Sequence, residues 1–196
     1  MNMLVIGKPG SGKTTWCQQY ISRLRSCGLS VGGVISPEIR EHGVRTGYTV
    51  LDVLTGEEVP FARKSGDSPS GEEEIAGRYT FSRDGIQFAR RAIEQAAGNK
   101  CDLVVIDEVG PVELSGGGLM PAVKLALEAE ASVLIIVRSI LQKALLRYFS
   151  AYDFEVIADF TQSPPQITPP ADWRYREVPF FKSFAKDDSP PSRDSE

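Results

Sequence analysis

Short apolar runs alternate with amphipathic stretches along most of this chain. Apolar runs predict buried β-strands at Met3 to Ile6, Val31 to Ser36, Asp102 to Ile106, Val133 to Val137 and Phe154 to Ile157. Apolar residues at helical spacing predict helices over residues 17–24, 86–96, 119–129 and 141–148. This alternation favours a three-layer α/β fold with a mostly parallel, doubly wound sheet. Ligands of such folds bind beyond the carboxyl ends of the strands.

Two local patterns refine this picture. Tyr48 to Leu54 and Glu58 to Arg63 flank Thr55-Gly56-Glu57, a spacing that predicts a β-hairpin with a short loop. We expect this hairpin to be added to the core rather than to build it. Ser139, followed three residues later by Gln142, resembles a capping box that opens the last helix.

Composition divides the chain into one domain and a tail. Lys64 to Glu74 is rich in Ser, Gly, Pro and Glu, so we expect a mobile surface loop there. From Ser163 onward prolines accumulate, and polar residues end the chain. We therefore predict one domain over residues 1–162 and an extended strap with a disordered finish over residues 163–196.

Charge and cysteine usage argue against several classes of function. A formal net charge of -4 disfavours the broad basic surface that nucleic-acid binding needs, although a local pocket suffices for a small anion. Cys17, Cys27 and Cys101 are odd in number and far apart, which favours reduced thiols over disulfides or zinc ligands. No apolar run reaches membrane-spanning length, and the first is too short for a signal peptide. We expect a cytoplasmic protein, monomeric or weakly oligomeric, without a membrane partner.

A phosphate-binding loop, or Walker A motif, follows the first predicted strand. Gly7-Lys8-Pro9-Gly10-Ser11-Gly12-Lys13-Thr14 matches the full pattern and lies between a strand and a helix, as its mechanism requires. The glycines let the backbone wrap around phosphates, so that amide groups face the negative charge. Lys13 is predicted to reach the outer phosphates in catalysis, Thr14 to bind Mg²⁺, and Thr15 to add a phosphate contact. A nucleoside triphosphate is thus the predicted ligand.

An acidic pair ends the third of these strands. Asp107 and Glu108 follow Leu103-Val104-Val105-Ile106. An apolar strand that ends in acidic residues is typical of the Walker B motif, the second element that binds Mg²⁺ in P-loop enzymes. Asp107 is predicted to hold Mg²⁺ directly or through water. Glu108 is predicted to orient and polarise a water beside the terminal phosphate, which favours hydrolysis over phosphate transfer to a metabolite.

Both motifs, with the segments between them, resemble the small THEP-type nucleoside-triphosphatase family. The similarity extends from about Met3 to Leu114, and its most specific parts are Pro37-Glu38-Ile39-Arg40 and Ile106-Asp107-Glu108-Val109-Gly110-Pro111-Val112-Glu113. The resemblance implies a RecA-like P-loop fold, Mg²⁺ dependence, and slow hydrolysis of ATP, GTP and other nucleoside triphosphates with broad base tolerance. It also implies nucleotide contacts at Gly7 to Thr14 and at Leu103 to Gly110.

Four other charged residues have open roles. Arg138, at a predicted strand end, is a candidate arginine finger, and Arg40 and Arg45 are further candidates to reach phosphate. A solvated arginine fits each of these positions as well. Glu113 either orients Glu108 or the water, or is a solvated loop carboxylate.

Two other functions are compatible with a phosphate loop. A small-molecule or nucleoside kinase needs an acceptor pocket and a closing lid with arginines, and Lys64 to Glu74 is more acidic than such a lid. A nucleotide-dependent regulatory switch would use binding to rearrange the hairpin or the tail. Hydrolysis of a nucleoside triphosphate to diphosphate and phosphate is the function that the two motifs favour.

Overall fold

Five parallel strands form the centre of the protein, whose computed structural model describes residues 1–64, 73–76 and 79–176. In spatial order they are β10 (Phe154–Phe160), β1 (Asn2–Gly7), β9 (Ser132–Arg138), β8 (Leu103–Val109) and β2 (Val31–Ile35). All five were predicted from apolar runs. They carry few polar residues because both faces of the sheet are covered.

Antiparallel strands continue the sheet on both sides. β11 (Gln166–Ile167) pairs with β10. Beyond β2 follow β4 (Val44–Asp52), β5 (Glu58–Lys64), β7 (Tyr79–Ser82) and β6 (Glu73–Ala76), and β3 (Glu38–Glu41) pairs with β4. The predicted hairpin is present as β4 and β5, but the prediction that it does not build the core is wrong. β4 pairs with β2, and Val50 and Phe61 are buried with the central strands.

Helices cover both faces of the sheet. On one face lies α1 (Lys13–Ser26), and on the other lie α2 (Arg83–Gly98), α4 (Met120–Glu128) and α5 (Gln142–Tyr148). Met3 and Val5 of β1 pack in the cluster of α1, whereas Leu4 and Ile6 pack in the opposite cluster. This division follows from the two-residue period of a strand, and it confirms the predicted three-layer, doubly wound architecture.

The remaining helical segments are short. α3 (Pro111–Leu114) follows β8, and α6 (Trp173–Arg176) lies in the last described segment. A 3₁₀ turn at Ser139–Leu141 precedes α5, which therefore begins at Gln142 without a side-chain cap. The predicted capping box is wrong because Gln142 is the first residue of the helix and not the third. Within the described ranges, no helix combines the length and the apolar character needed to cross a bilayer.

Parts of the predicted loop and tail belong to regular structure. Glu73 and Glu74 lie in β6 and not in a loop, whereas residues 65–72 are outside the described residues. In the predicted tail, Tyr175 is fully buried, and its hydroxyl donates a hydrogen bond to the carbonyl oxygen of Asp102 at 2.5 Å. The tail from residue 177 onward is outside the described residues, and the boundary at residue 162 stays a prediction.

Candidate active site

A cleft of about 580 Å³ opens at the carboxyl ends of the central strands. The phosphate loop and the acidic strand end both contribute to its lining, through Lys13 and Thr14 and through Asp107 and Glu108. Arg138, at the end of β9, lies between these two elements in the strand order. The cleft therefore has the position at which ligands bind to doubly wound sheets.

The phosphate loop keeps its shape through glycine. Gly10 and Gly12 have φ angles of 74° and 93°, in the left-handed region that glycine tolerates best. A Cβ atom on Gly7 would lie 2.6 Å from Ser11 Oγ and 2.7 Å from Phe160 Cβ, so a larger residue would displace the loop. α1 begins directly after this loop, and its N-terminus lies at the cleft, where backbone amide groups favour an anion.

Lys13 is folded back over the phosphate loop. Its ammonium donates a hydrogen bond of 2.8 Å to the carbonyl oxygen of Lys8, and the side chain is almost entirely buried. Burial lowers the pKa of Lys13, whereas the carboxylates of Glu108 and Asp107 act in the opposite direction. The ammonium is thus close enough to the acidic pair to interact with it across the cleft.

Asp107 joins the acidic strand to the phosphate loop. Thr14 Oγ1 donates a hydrogen bond to Asp107 Oδ2 at 2.7 Å, and the amide of Ser36 donates to the same oxygen at 3.2 Å. Burial, with a further contribution from the Glu108 carboxylate, raises the pKa of Asp107 to about 7. The structure therefore places the two predicted magnesium ligands in direct contact.

A β-bulge lets two consecutive residues line the same cleft. The register of β8 against β9 shifts between Asp107 and Val109, which leaves Glu108 as the extra residue. Side chains of a regular strand alternate between faces, whereas Asp107 and Glu108 both reach the cleft. Arg138 Nε donates a hydrogen bond to Glu108 Oε1 at 2.7 Å, and Nη2 of the same guanidinium forms an ion pair with that oxygen at 2.7 Å. Arg138 is therefore bound to the candidate base and is not an isolated surface arginine.

The other arginine candidates differ from each other. Arg45 lines the cleft, where it lies 3.0 Å from Glu38 Oε1 and donates a hydrogen bond of 2.6 Å to the Tyr48 hydroxyl. Arg40 pairs with the same Glu38 at 2.6 Å, but its side chain is half-exposed and is not part of the cleft lining. Of these two, only Arg45 is placed to approach a ligand in the cleft.

Glu113 lines the cleft, and its carboxylate is buried, so the predicted alternative of a solvated loop carboxylate is wrong. Its buried carboxylate accepts hydrogen bonds from the amide of Gly110 at 2.9 Å and from the amide of Leu119 at 3.1 Å. Burial raises the pKa of Glu113. Leaving a buried amide without its partner costs about 1–3 kcal/mol, so Glu113 stabilises the turn after β8, and its role toward Glu108 or the water stays a prediction.

Most of the chain matches a known protein family. A family model described as NTPase matches residues 2–162. The chain belongs to this NTPase family. Its relatives include the nucleoside-triphosphatase THEP1 of Methanopyrus kandleri, which is 36% identical over 136 residues, or 69% of this chain and 72% of that protein. The predicted resemblance to THEP-type proteins is confirmed.

Solved structures of similar proteins support the same fold. The solution structure of a human cancer-related nucleoside triphosphatase has a TM-score of 0.62 at 22% identity, covering 96% of this chain and 99% of that chain. The crystal structure of THEP1 from Aquifex aeolicus has a TM-score of 0.61 at 20% identity, covering 93% and 96%. The predicted P-loop NTPase fold is confirmed.

Some residues predicted to contact nucleotide lie away from the cleft of this NTPase-family protein. The apolar residues of β8 are fully buried in the sheet, so they position the acidic pair and cannot touch a ligand; they are Leu103, Val104, Val105, Ile106 and Val109. Gly110 does line the cleft. Lys8, within the phosphate loop, and Thr15, directly after it, are exposed and are not among the residues that line the cleft.

Sequence reasoning missed two parts of the cleft. Ser36, at the end of β2, supplies an amide to Asp107, and the aromatic residues Tyr48, Tyr79 and Phe81 are part of the cleft lining. The antiparallel strands bring these side chains together. No local sequence pattern predicts where those strands lie in the sheet. The available signal was that Tyr48 lies in a segment shared with the THEP-type family.

Proposed function

We propose that this protein binds a nucleoside triphosphate with Mg²⁺ and hydrolyses its terminal phosphate. The observation that carries the proposal is the 2.7 Å hydrogen bond from Thr14 to Asp107, because it joins the phosphate loop to the acidic strand end. Phosphoryl transfer in P-loop enzymes depends on how the phosphates are positioned and on how their charge is stabilised. The phosphate loop and the acidic strand end must therefore act on the same ligand. The names of relatives, which are nucleoside-triphosphatases, support the same reaction.

The oxygen atoms of Thr14 and Asp107 fit a magnesium ion. Mg²⁺ commonly uses one or two protein ligands together with water and substrate phosphates. Burial and the Glu108 carboxylate raise the pKa of Asp107, and a divalent cation bound beside it would favour its charged form. Among the described residues, no group of three or more His, Cys, Asp or Glu side chains is placed to hold a metal ion. When bound, the ion would neutralise charge that develops on the phosphate oxygens.

The phosphate loop provides the binding energy for the polyphosphate. Its backbone amide groups and the N-terminus of α1 bind the inner phosphates. Lys13 exchanges the carbonyl oxygen of Lys8 for the outer phosphates, which restores a negative partner to a buried ammonium. Binding of the triphosphate therefore relieves the cost of burying Lys13.

Glu108 acts as the general base in this proposal. Its carboxylate accepts a proton from water while the water oxygen bonds to the terminal phosphorus and the bond to the bridging oxygen breaks. The diphosphate and inorganic phosphate are the products. Arg138 holds Oε1 of Glu108, so the other carboxylate oxygen is available to the water. In this proposal the guanidinium also stabilises negative charge in the transition state.

Turnover across several nucleotides tests the proposed function. Untagged protein is incubated with ATP, GTP, CTP or UTP, with Mg²⁺ or with a chelator, and diphosphate and inorganic phosphate are measured. We expect equal amounts of both products from each nucleotide and no turnover with the chelator, because the proposed contacts involve phosphates and metal rather than the base. A Lys13→Ala preparation controls for contaminating phosphatases. Turnover that is absent with all four nucleotides, or indifferent to the chelator, contradicts the proposal.

A further inference from the structure

Arg45 brings a positive charge from the antiparallel part of the sheet to the phosphate loop. It lies in β4, and its Nη2 atom is 4.0 Å from the position that a Cβ atom on Gly10 would take. Gly10 and Pro9 line the cleft together with Arg45. The backbone amide groups of a phosphate loop hold the phosphates of the ligand. The guanidinium of Arg45 therefore lies beside the place of a bound triphosphate.

Glu38 and Tyr48 hold one end of this guanidinium. Nη1 of Arg45 forms an ion pair with Glu38 Oε1 at 3.0 Å and donates a hydrogen bond of 2.6 Å to the Tyr48 hydroxyl. The guanidinium carbon also lies 5.8 Å from the centre of the Tyr48 ring. Because a guanidinium has five N–H donors in a rigid fork, contacts at Nη1 fix the direction of Nη2. Nη2 is the nitrogen beside Gly10, so the two partners orient a donor at the phosphate loop.

Arg138 is the other arginine among the described residues that line the cleft. Its Nε and Nη2 atoms both lie 2.7 Å from Glu108 Oε1, so its guanidinium is bound to the candidate base. The partners of Arg45, in contrast, take no part in the proposed proton transfer. Arg45 can therefore contact a phosphate without releasing a residue that the reaction needs.

The charges around Arg45 belong to the same cluster as the phosphate-binding lysine. Burial is the largest influence on the pKa of Lys13 and lowers it, whereas Glu38 is among the carboxylates that raise it. Glu38 is thus close enough to Lys13 to interact with it. A free carboxylate at this place would repel a triphosphate, and the ion pair with Arg45 offsets that repulsion.

We propose that Arg45 is a catalytic residue, which donates hydrogen bonds to the triphosphate at the phosphate loop and stabilises the charge that develops during hydrolysis. Glu38 and Tyr48 are positioning residues that act through Arg45. The guanidinium keeps its protons throughout, and no bond to it forms or breaks. The antiparallel strands thereby supply, within the same chain, the arginine that some P-loop enzymes obtain from a partner protein. This inference rests on the proposed function, because it adds a residue to the same reaction.

Arg45 acts on the rate more than on substrate binding. Negative charge spreads over the oxygen atoms of the terminal phosphoryl group in the transition state. A donor that is already oriented contributes most where charge develops. In the ground state its contribution is smaller, since Glu38 offsets part of the positive charge of the guanidinium.

Arg45→Gln tests the proposal in steady-state hydrolysis of ATP with Mg²⁺ by the full chain. Glutamine retains hydrogen-bonding groups but lacks the charge, so we expect kcat to fall about 100-fold to 1,000-fold, the scale of one lost transition-state donor. Arg45→Lys keeps the charge without the fork and should have a kcat between those of Arg45→Gln and wild type. The matched control is Arg40→Gln, because Arg40 pairs with the same Glu38 at 2.6 Å but does not line the cleft. Its kcat should equal that of the wild type.

Two ligands separate an effect on catalysis from effects on binding and folding. A nonhydrolysable triphosphate analogue mimics the ground state, and a nucleoside diphosphate with aluminium fluoride mimics the transition state; each is titrated with Mg²⁺. Arg45→Gln should bind the first within about tenfold of the wild-type affinity, which also shows that it folds, and the second about 100-fold or more weakly. Tyr48→Phe removes only a hydroxyl, so it should lower kcat several-fold and leave binding of the first ligand unchanged.

The outcomes separate this inference from the proposed function. Wild-type kcat in Arg45→Gln, or in Arg45→Lys if the glutamine variant does not fold, overturns the inference and leaves the proposed hydrolysis standing. Equal weakening of both ligands overturns it as well, since Arg45 would then contribute to binding alone. An equal fall of kcat in Arg40→Gln has the same meaning, because loss of a partner of Glu38 would then explain the effect. Wild-type protein that neither hydrolyses ATP nor binds either ligand overturns the proposed function itself.

Discussion

Replacing Lys13 by alanine is expected to abolish measurable hydrolysis and to weaken nucleotide binding. Lys13 is a buried ammonium whose partner within the described structure is the Lys8 carbonyl oxygen, so its charge is available to the outer phosphates. Loss of one charge-assisted hydrogen bond weakens binding by about 1.5–3 kcal/mol. Loss of a donor that stabilises transition-state charge lowers the rate by about a further 100-fold to 1,000-fold.

Isothermal titration with a nonhydrolysable triphosphate analogue and steady-state phosphate release measure the two effects of Lys13→Ala separately. The matched control is Lys143→Ala, which removes an exposed lysine of α5 that does not line the cleft. This control should bind and turn over nucleotide as the wild type does. Wild-type turnover in Lys13→Ala would exclude the phosphate loop from the reaction.

Replacing Glu108 by glutamine is expected to keep nucleotide binding near normal and to lower turnover by roughly a hundredfold or more. The amide has nearly the same size as the carboxylate but cannot accept the proton of the attacking water. Binding is retained because the phosphates contact Lys13 and the loop, and the metal is assigned to Thr14 and Asp107. The expected signature is therefore a loss in kcat with little change in analogue affinity.

Glu128→Gln is the matched control for this substitution, because it makes the same chemical change on an exposed residue of α4. Its turnover should equal that of the wild type. Unchanged turnover in Glu108→Gln would remove Glu108 from the mechanism. A fall in analogue affinity equal to the fall in kcat would instead assign Glu108 a role in binding.

The sequence could predict the phosphate loop and the acidic pair because each is a local pattern with a fixed structural context. Lys13 and Thr14 follow a strand and open a helix, and Asp107 and Glu108 end an apolar strand. Parallel strands bring their carboxyl ends to one edge of the sheet, so a meeting of the two motifs follows from the fold class. The 2.7 Å contact between Thr14 and Asp107 agrees with that expectation.

The role of Arg138 could not be predicted because it depends on strand pairing between distant segments. Arg138 ends β9, and only the pairing of β9 with β8, together with the bulge at Glu108, brings the two side chains within 2.7 Å. Glu113 is a second example. Its two amide partners, on Gly110 and Leu119, depend on the path of the chain after β8.

The aromatic side chains of the cleft, Tyr48, Tyr79 and Phe81, show a further limit of local patterns. The alternation around residues 48–54 and 58–63 predicted a hairpin correctly, but it contained no information on which edge of the sheet the hairpin joins. Pairing of Val34 and Ile35 of β2 with β4 makes that choice, and it turns Tyr48 toward the cleft lining. The antiparallel strands therefore contribute to the site as well as to the core.

A crystal structure with Mg²⁺ and a nonhydrolysable nucleoside triphosphate analogue tests most directly whether the two motifs act on one ligand. We expect the phosphates at the backbone amides of residues 8–14, the Lys13 ammonium moved from Lys8 to the outer phosphates, and the metal bound to Thr14 and to Asp107, directly or through water. An analogue bound elsewhere would contradict this assignment. The assignment would also be contradicted if the analogue occupied the phosphate loop while Asp107 stayed hydrogen-bonded to Thr14 and contacted neither the metal nor a water bound to it.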